Sequence, residues 1–218
     1  QSLYQDGYLS YPRTDCELIT ENEFLYLKEH LEEYKNVINL NIETPNQEPN
    51  IRFVNSEAVV EHYAIIPTSS IPNLNYFSEE QRNIYTTITK ITCLMFSEPY
   101  KYQNTAVTLD VNGLEFKASG NVPMSLGWKK VEKTEKSDPE EEKELPEFKE
   151  NEIVPIVIQE LNKITKEPSR LTEGKLVGKG GLMSKLGLGT SATRAGIVEK
   201  LINRGYIKIE NTKVYPTE

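Results

Sequence analysis

Three side chains with complementary chemistry occupy alternate positions near the start of the sequence: Tyr11, Arg13 and Asp15. Pro12 fixes its own φ angle and favours an extended backbone at Tyr11. Because residues two apart in an extended segment point the same way, we expect the three side chains to share one face. A stabilised phenolate is a nucleophile, and a guanidinium holds phosphate well. The spacing suits attack by Tyr11 on a phosphodiester, although it also fits a strand end with a half-buried tyrosine beside a surface Arg–Asp pair.

The residues around Tyr11 favour the first interpretation. Residues 1–15 read Q-S-L-Y-Q-D-G-Y-L-S-Y-P-R-T-D. They closely resemble the active-site segment of type IA DNA topoisomerases, the topoisomerase III branch in particular, which has the form L-Y-x-x-G/K-x-[IL]-[ST]-Y-P/M-R-T-D. In that family the tyrosine forms a transient 5′-phosphotyrosyl bond with single-stranded DNA. The resemblance implies that Tyr11 is the nucleophile, that Arg13 stabilises the phosphate and that Asp15 orients Arg13 or a neighbouring backbone group.

A second motif follows within about fifty residues of the first. Residues 61–68 read E-H-Y-A-I-I-P-T and resemble the family signature H-x-A-I-x-P-T. A histidine beside an aromatic residue is most often a hydrogen-bonded structural residue. The resemblance instead implies that His62 contacts the DNA phosphate, where an imidazole can donate a hydrogen bond or relay a proton. It also implies DNA contacts from Thr14 and Thr68.

Two further motifs lie towards the C-terminus. Residues 168–176 and 187–197 resemble the signatures P-x-R-[YL]-T-E-x-x-L and G-[IL]-G-T-x-A-T-R-A-x-I. Glycines before a capped helix leave the backbone open to a phosphate, although a glycine-rich turn into a capped helix would look the same. The resemblance implies that the backbone of single-stranded DNA is contacted by Arg170, Thr190, Ser191 and Arg194.

The charge distribution bears on whether the chain can bind DNA. The formal net charge is −8, which disfavours DNA binding. Residues 132–152 hold ten acidic residues and four lysines, whereas residues 163–213 hold eleven basic and four acidic residues. The C-terminal stretch therefore carries a net charge of +7 and can present a basic face to phosphates despite the acidic total.

The composition excludes several other classes of protein. No run of about 18 apolar residues is present, so no membrane span is expected. Cys16 and Cys93 match no zinc spacing and no disulfide framework, which fits a reducing cytoplasm. The stretch 178–181 reads G-K-G-G and lacks the P-loop pattern, so nucleotide binding has no support.

The sequence patterns around these residues predict the helices and strands that must position them, and together they indicate an α+β fold in several segments. Capping boxes at Thr20 and Ser78 predict helices over 21–35 and 79–97, with Ile84, Ile88, Ile91 and Met95 as the apolar stripe of the second. His30 lies off the stripe of the first helix, so we expect it to be exposed and assign it no role.

The second half of the chain carries the strand signals. Alternation on both sides of Asn112-Gly113 predicts a β-hairpin, and a G-W pair at 127–128 is expected to end a strand. A further strand is predicted over 153–158, and a helix followed by a short hairpin over 190–215. These patterns give three units: a mostly helical tyrosine-bearing domain (1–98), a β-rich arch segment (99–162) with an acidic loop (132–150), and a basic helical segment lining the DNA groove (163–218).

Type IA enzymes also use Mg²⁺, bound by closely spaced carboxylates in a domain N-terminal to the tyrosine. The four aspartates of this chain are not spaced in that way. We therefore expect the metal ligands outside this chain and no metal bound by it, and we expect the chain alone to be inactive. The resemblance implies a cytoplasmic bacterial enzyme, associated with nucleoid or plasmid, that acts on single-stranded DNA with the remaining domains of the same polypeptide, without oligomerisation. Two alternatives stay open: a winged-helix DNA-binding module without chemistry, and a protein-interaction scaffold.

Overall fold

A computed structural model describes residues 1–131 and 145–217. Short helices and two antiparallel hairpins are joined by long irregular stretches, so the fold class is α+β, as predicted. The helices are α1 (Ser2–Gln5), α2 (Glu21–Glu29), α3 (Leu31–Val37), α4 (Glu79–Leu94), α5 (Glu173–Val177), α6 (Leu182–Lys185) and α7 (Ser191–Asn203). The strands are β1 (Lys101–Val111), β2 (Leu114–Ser125), β3 (Ile207–Glu210) and β4 (Lys213–Pro216).

Residues 1–98 carry most of the buried apolar surface. The stripe predicted for the first helix is buried in full: Phe24, Leu27, Leu31 and Tyr34. These side chains pack with Cys93 near the end of α4, with Phe96 just beyond it, and with Ile66 from the second motif. A smaller cluster joins Leu3, Leu9 and Tyr85. The tyrosine segment and the His62 segment are therefore both fixed to the same interior.

The single helix predicted over 21–35 is wrong, because His30 divides it into α2 and α3. The His30 ring contacts the rings of Tyr26 and Tyr34 and is half-buried, which corrects the expectation of exposure. Its Nδ1 lies 2.9 Å from the carbonyl oxygen of Tyr26, the group that the His30 backbone N–H would use in a continuous helix.

Helix α4 begins at the predicted capping box of Ser78 and Gln81 and ends at Leu94, three residues before the predicted end. Its predicted stripe is half right, because Ile88 and Met95 pack against the two core clusters. Ile84 and Ile91 are 45% and 64% exposed, whereas Tyr85, Thr89, Thr92 and Cys93 are buried. The two stripes have nearly the same spacing and differ by one position, so the large Tyr85 ring selects the face that meets the core. Within the described residues, no helix is both long and apolar enough to span a bilayer.

The β1–β2 hairpin matches the sequence prediction. Asn112 and Gly113 have φ angles of 53° and 85°, as a type I′ turn requires. Val107 faces Ala118, Leu109 faces Phe116 and Val111 faces Leu114 across the ladder. Within the described residues this face is partly covered: Val107, Leu109 and Val111 are half-buried, whereas Leu114 and Phe116 are 66% and 41% exposed. The hairpin is held mainly by its own cross-strand pairs.

The G-W pair lies just beyond the end of β2, where the hairpin returns to α4. Gly127 has a φ of 45°, and a Cβ atom there would come within 2.4 Å of the carbonyl oxygens of Glu98 and Pro99. The Trp128 N–H donates to the Glu98 oxygen at 2.9 Å. Glycine is therefore required for the two backbones to approach this closely.

The strand predicted over 153–158 is wrong, because residues 145–171 contain no helix or strand. Pro155 has no N–H to donate to a ladder, and Ile153 and Val157 are each 98% exposed. Of the predicted acidic loop over 132–150, residues 132–144 lie outside the described part of the chain. Residues 146–150 are exposed.

The C-terminal helix and hairpin form as predicted. α7 begins after a capping box of Thr190 and Thr193 and ends before Gly205, which has a φ of 73°. β3 and β4 pair through a turn at Asn211 and Thr212. Thr172 forms a bridge to Lys213, so the start of α5 lies beside the hairpin.

Candidate active site

Tyr11 follows a short stretch of backbone that is paired to the second motif. The Ser10 N–H donates to the Ile66 carbonyl at 2.9 Å, and the Thr68 N–H donates to the Tyr8 carbonyl at 3.1 Å. The Ser10 hydroxyl accepts from the Ile66 N–H at 2.9 Å and donates to the Ala64 carbonyl at 3.2 Å. Two segments more than fifty residues apart in sequence are thus held side by side up to the position where Tyr11 begins.

The Tyr11 ring lies between two other rings. Its centroid is 4.5 Å from that of His62 in a tilted arrangement and 5.3 Å from that of Tyr4 in an edge-on arrangement. Tyr11 is half-buried, whereas His62 is exposed. The structure therefore brings together the phenol and the imidazole that the two motifs contribute, at a surface that a ligand can reach.

The Thr14 side chain holds the His62 segment in place. Its hydroxyl donates to the His62 carbonyl at 3.2 Å and accepts from the Cys16 N–H at 3.0 Å. Thr14 was predicted to contact DNA, and the structure gives its hydroxyl these two partners within the protein. The contact with His62 crosses between the two motifs, so it supports the approach of the Tyr11 and His62 rings.

Burial distinguishes Tyr11 from the tyrosines of the interior. The Tyr34 hydroxyl is enclosed and donates to the Thr68 carbonyl at 3.1 Å, and desolvation raises its pKa. Desolvation likewise raises the pKa of Tyr85 to about 12. A buried phenol of this kind resists ionisation and cannot meet a polymer. Tyr11 is the tyrosine that lies half-exposed beside His62.

Arg13 lies at the mouth of a cleft between the tyrosine segment and α7. The cleft has a volume of about 1010 Å³, and its walls include Pro12, Arg13 and Thr14 on one side and Ser191, Ala192 and Ala195 on the other. The Arg13 side chain is exposed. This guanidinium, two residues from Tyr11 in sequence, can reach an anion that enters the cleft.

Asp15 has a partner that differs from the expected one. Its carboxylate pairs with Arg194 of α7, with Oδ2 3.2 Å from the nearest guanidinium nitrogen, rather than orienting Arg13. Arg194 is 8% exposed. Sequence analysis missed this pair because the two residues are 179 positions apart. The available signal was the contrast between the acidic N-terminal part and the basic C-terminal part.

The remaining predicted DNA contacts are distributed over both sides of the cleft and beyond. Ser191 lines the cleft, and Thr190 caps α7 by reciprocal contacts with Thr193. The Thr68 hydroxyl donates to the Gly7 carbonyl, which ties it to the tyrosine segment. The Arg170 guanidinium lies 4.7 Å from the Tyr215 ring centroid, at the C-terminal hairpin. The structure does not bring Arg170 into contact with Tyr11.

The resemblance implies Mg²⁺, whose site needs closely placed oxygen ligands. Mg²⁺ is held by oxygen ligands in near-octahedral geometry, mostly carboxylates and water. In residues 1–131 and 145–217, no group of three or more His, Cys, Asp or Glu side chains is placed to hold a metal ion. Asp15, next to the tyrosine, is paired with Arg194 instead. The described residues thus offer no cluster that would hold Mg²⁺ through three or more protein side chains.

Comparison with known proteins connects this geometry to a family. DNA topoisomerase 3 from Bacillus licheniformis is 32% identical over 100% of this chain and 33% of its own length. DNA topoisomerase 1 from Pyrococcus horikoshii is 32% identical over 95% of this chain and 30% of its own length. The chain thus spans about a third of the length of these relatives.

A solved structure extends the likeness to three dimensions. Full-length topoisomerase I from Thermotoga maritima matches with a TM-score of 0.62 and 28% identity, over 96% of this chain and 33% of that one. The sequence model of a family described as DNA topoisomerase matches residues 1–218. Since that match covers the whole chain, including the Tyr11 and His62 motifs and α7, this chain belongs to the DNA topoisomerase family.

Proposed function

We propose that this chain is the tyrosine-bearing part of a type IA DNA topoisomerase, and that Tyr11 is its nucleophile. The observation that carries the proposal is the Tyr11–His62 ring contact of 4.5 Å, formed at the surface by a half-buried phenol and an exposed imidazole. The family match supports DNA as the substrate, as relatives over the whole chain are named DNA topoisomerase. The single-stranded form of that DNA and the branch of topoisomerase III are part of the proposal.

The proposed reaction is a transesterification. The Tyr11 oxygen attacks a phosphorus of single-stranded DNA, and the bond from phosphorus to the 3′ oxygen of the preceding sugar breaks. The phenol proton ends on that oxygen, which leaves a 3′-hydroxyl and a 5′-phosphotyrosyl bond. One phosphodiester replaces another, so no ATP is consumed, and the reverse step rejoins the strand. Repeated cycles relax or decatenate DNA.

Arg13 and His62 stabilise the charge that develops on the phosphate. Preorganised donors of this kind each contribute a factor of about 10²–10³ to the rate in other enzymes. Thr14 acts one step removed, as a positioning residue, because its hydroxyl holds the His62 backbone. Arg194, Thr190 and Ser191 bind the DNA backbone from the α7 side without reading its sequence.

The metal belongs elsewhere in this proposal. In the described residues no group of three or more His, Cys, Asp or Glu side chains is placed to hold a metal ion, and we propose that the magnesium ligands lie outside this chain. The chain alone is then expected not to relax supercoiled DNA in the presence of Mg²⁺. Turnover by the isolated chain in a relaxation assay would contradict this part of the proposal.

A winged-helix module would account for the order of α7, β3 and β4, but not for the contacts of this segment with the tyrosine segment. Arg194 of α7 is tied to Asp15 in the tyrosine segment, and Lys179 is tied to Glu17. The C-terminal segment thus forms one wall of the cleft next to Tyr11. We propose that it holds DNA for the tyrosine rather than acting as a separate reader.

Covalent trapping tests the nucleophile. The full-length polypeptide that contains this chain is incubated with labelled single-stranded DNA and Mg²⁺, denatured, and examined for label that travels with protein. Tyr11→Phe is expected to abolish the adduct. Tyr4→Phe is the matched control, since it removes a hydroxyl from the neighbouring ring and keeps the edge-on contact. An adduct that survives Tyr11→Phe would refute the assignment.

A further inference from the structure

The contact between Asp15 and Arg194 joins the tyrosine segment to α7. The guanidinium and the carboxylate lie 3.2 Å apart, and their side chains are 10% and 40% exposed. A second pair, Glu17 with Lys179 at 3.4 Å, joins the same two parts of the chain, with side chains 75% and 59% exposed. Exposed pairs contribute little, whereas the partly buried Arg194 depends strongly on having an anionic partner.

Arg194 is incompletely satisfied by Asp15. The pair is made through one guanidinium nitrogen, and the Nε of Arg194 is buried without a hydrogen-bond partner. Arginine presents its N–H donors as a planar fork that matches two oxygens at once. A buried donor without a partner is uncommon in folded proteins and calls for a physical reason. An anion with more accessible oxygens than Asp15 offers here would satisfy this fork better.

The surroundings of Arg194 favour a phosphate as that anion. It lies in the first turn of α7, a helix of thirteen residues whose N-terminal N–H groups carry partial positive charge. Gly189, with a φ of 68°, brings the preceding turn against Arg194, since a Cβ atom there would lie 3.3 Å from the Arg194 Cγ. The large cleft opens beside this turn, and Ser191, Thr193 and Ala195 line it, whereas the enclosed Arg194 side chain is not among its walls.

We propose that Asp15 is a built-in competitor for DNA at Arg194. In the DNA-free protein its carboxylate occupies the guanidinium and holds the tyrosine segment against α7. A DNA phosphate that enters the cleft takes the fork of Arg194, and Asp15 is expelled because the two anions repel each other. The exchange would couple DNA entry to release of the tyrosine segment. This inference rests on the proposed function, since it takes single-stranded DNA as the ligand of the cleft.

A competitor role and a positioning role for Asp15 predict opposite effects of its removal on DNA binding. If Asp15 competes with DNA, its removal strengthens binding. If Asp15 instead orients Arg194 for DNA, its removal weakens binding. Removing a negative charge could also strengthen DNA binding simply by making the segment less acidic. In that case, neutralising any other acidic residue of the segment would strengthen binding equally. Glu17 provides the matched control, because it lies two residues away and pairs with the exposed Lys179.

The experiment measures equilibrium binding of a fluorescently labelled single-stranded oligonucleotide to the full chain, in EDTA so that no chemistry interferes. Asp15→Asn is expected to lower the dissociation constant by about fivefold or more, as for a typical coupling between two ligands of one site. Glu17→Gln is expected to change it by less than about twofold. The gain from Asp15→Asn should disappear in the Arg194→Gln background, which shows that it acts through Arg194.

Three outcomes would overturn the competitor role: weaker binding by Asp15→Asn, an equal gain in Glu17→Gln, or a gain that persists without Arg194. Asp15→Ser serves as a second variant if Asp15→Asn lowers the melting temperature. No binding by either wild type or Asp15→Asn also overturns it. Failure of the nucleophile assignment is seen separately, since an adduct that survives Tyr11→Phe leaves these binding results unchanged.

Discussion

Residues 1–98 and the hairpin of β1 and β2 are stabilised in different ways. In the first region, Phe24, Leu27 and Tyr34 are 2%, 0% and 0% exposed and come together with residues from distant parts of the chain. In the hairpin, each pair lies close in sequence and the apolar face stays partly open, with Leu114 66% exposed. The first region depends on tertiary packing, whereas the hairpin depends on its ladder and turn.

The difference explains where the reacting groups are found. Tyr11 and His62 each belong to a segment anchored by buried neighbours, Leu9 and Ile66. Their approach is therefore fixed by the same packing that makes residues 1–98 compact. The hairpin contributes none of the residues that line the cleft. A site that must hold two distant segments within a few ångströms needs the rigidity of a packed core.

The largest difference in stability between the two regions is expected from a pair of matched side-chain truncations. Phe24→Ala removes a buried ring stacked on Phe96 and should lower the free energy of unfolding by about 3–5 kcal/mol. Phe116→Ala removes the same atoms from the hairpin, where the ring is 41% exposed, and should cost about 1 kcal/mol or less. Urea denaturation followed by circular dichroism measures both. Equal losses would show that the hairpin is packed as tightly as the core.

The second test uses alkaline pH. Burial raises the pKa of the Cys93 thiol from its ordinary 9.0 to about 12, so the folded state keeps a proton that the unfolded chain loses. Stability is then full below pH 9 and falls as the pH rises towards 12. At pH 10.5 the loss from Cys93 amounts to about 2 kcal/mol.

The control for this loss is Cys93→Ala. Its stability should decrease less between pH 8 and pH 10.5 than that of the wild type, although it starts lower because of the cavity. Tyr85, whose pKa is raised to about 12, contributes in the same direction in both proteins. A decrease of the same size in Cys93→Ala would mean that the thiol is not protected by the core.

The smallest effect is expected at the hairpin turn. Gly113 has a φ of 85° with open space where a Cβ atom would lie, so Gly113→Ala meets backbone strain but no clash. The expected loss is about 1 kcal/mol. Gly174→Ala in α5 is the matched control, since this glycine also faces open space but has an ordinary φ, and alanine favours a helix. Thermal unfolding of both variants would separate turn strain from a general effect of adding a methyl group.

Local patterns in the sequence predicted most of the regular elements. The capping boxes at Thr20 and Ser78, the Asn112-Gly113 turn and the end of α7 at Gly205 are satisfied by groups within a few residues, so the sequence contains the whole cause. The predictions were wrong where side-chain packing or the presence of a pairing strand decides. His30 bonds the Tyr26 carbonyl in a crowded aromatic cluster, and the 153–158 stretch finds no ladder partner.

The candidate site divides in the same way. The two motifs predicted that Tyr11 and His62 belong together, and the structure places their rings 4.5 Å apart. The partner of Asp15 could not be predicted, because nothing in the local sequence distinguishes Arg13, two residues away, from Arg194. Likewise the face of α4 that is buried depends on which of two similar stripes meets the core.

By itself, the sequence determined the chemistry available to this protein: a phenol, a guanidinium and an imidazole in two family motifs, a basic C-terminal stretch, and the turns and caps that punctuate the chain. Only the tertiary structure decided which charges meet, since an ion pair forms between groups that are close in space whatever their separation along the chain. Asp15 meets Arg194 for that reason, and the cleft beside Tyr11 acquires its second wall from α7.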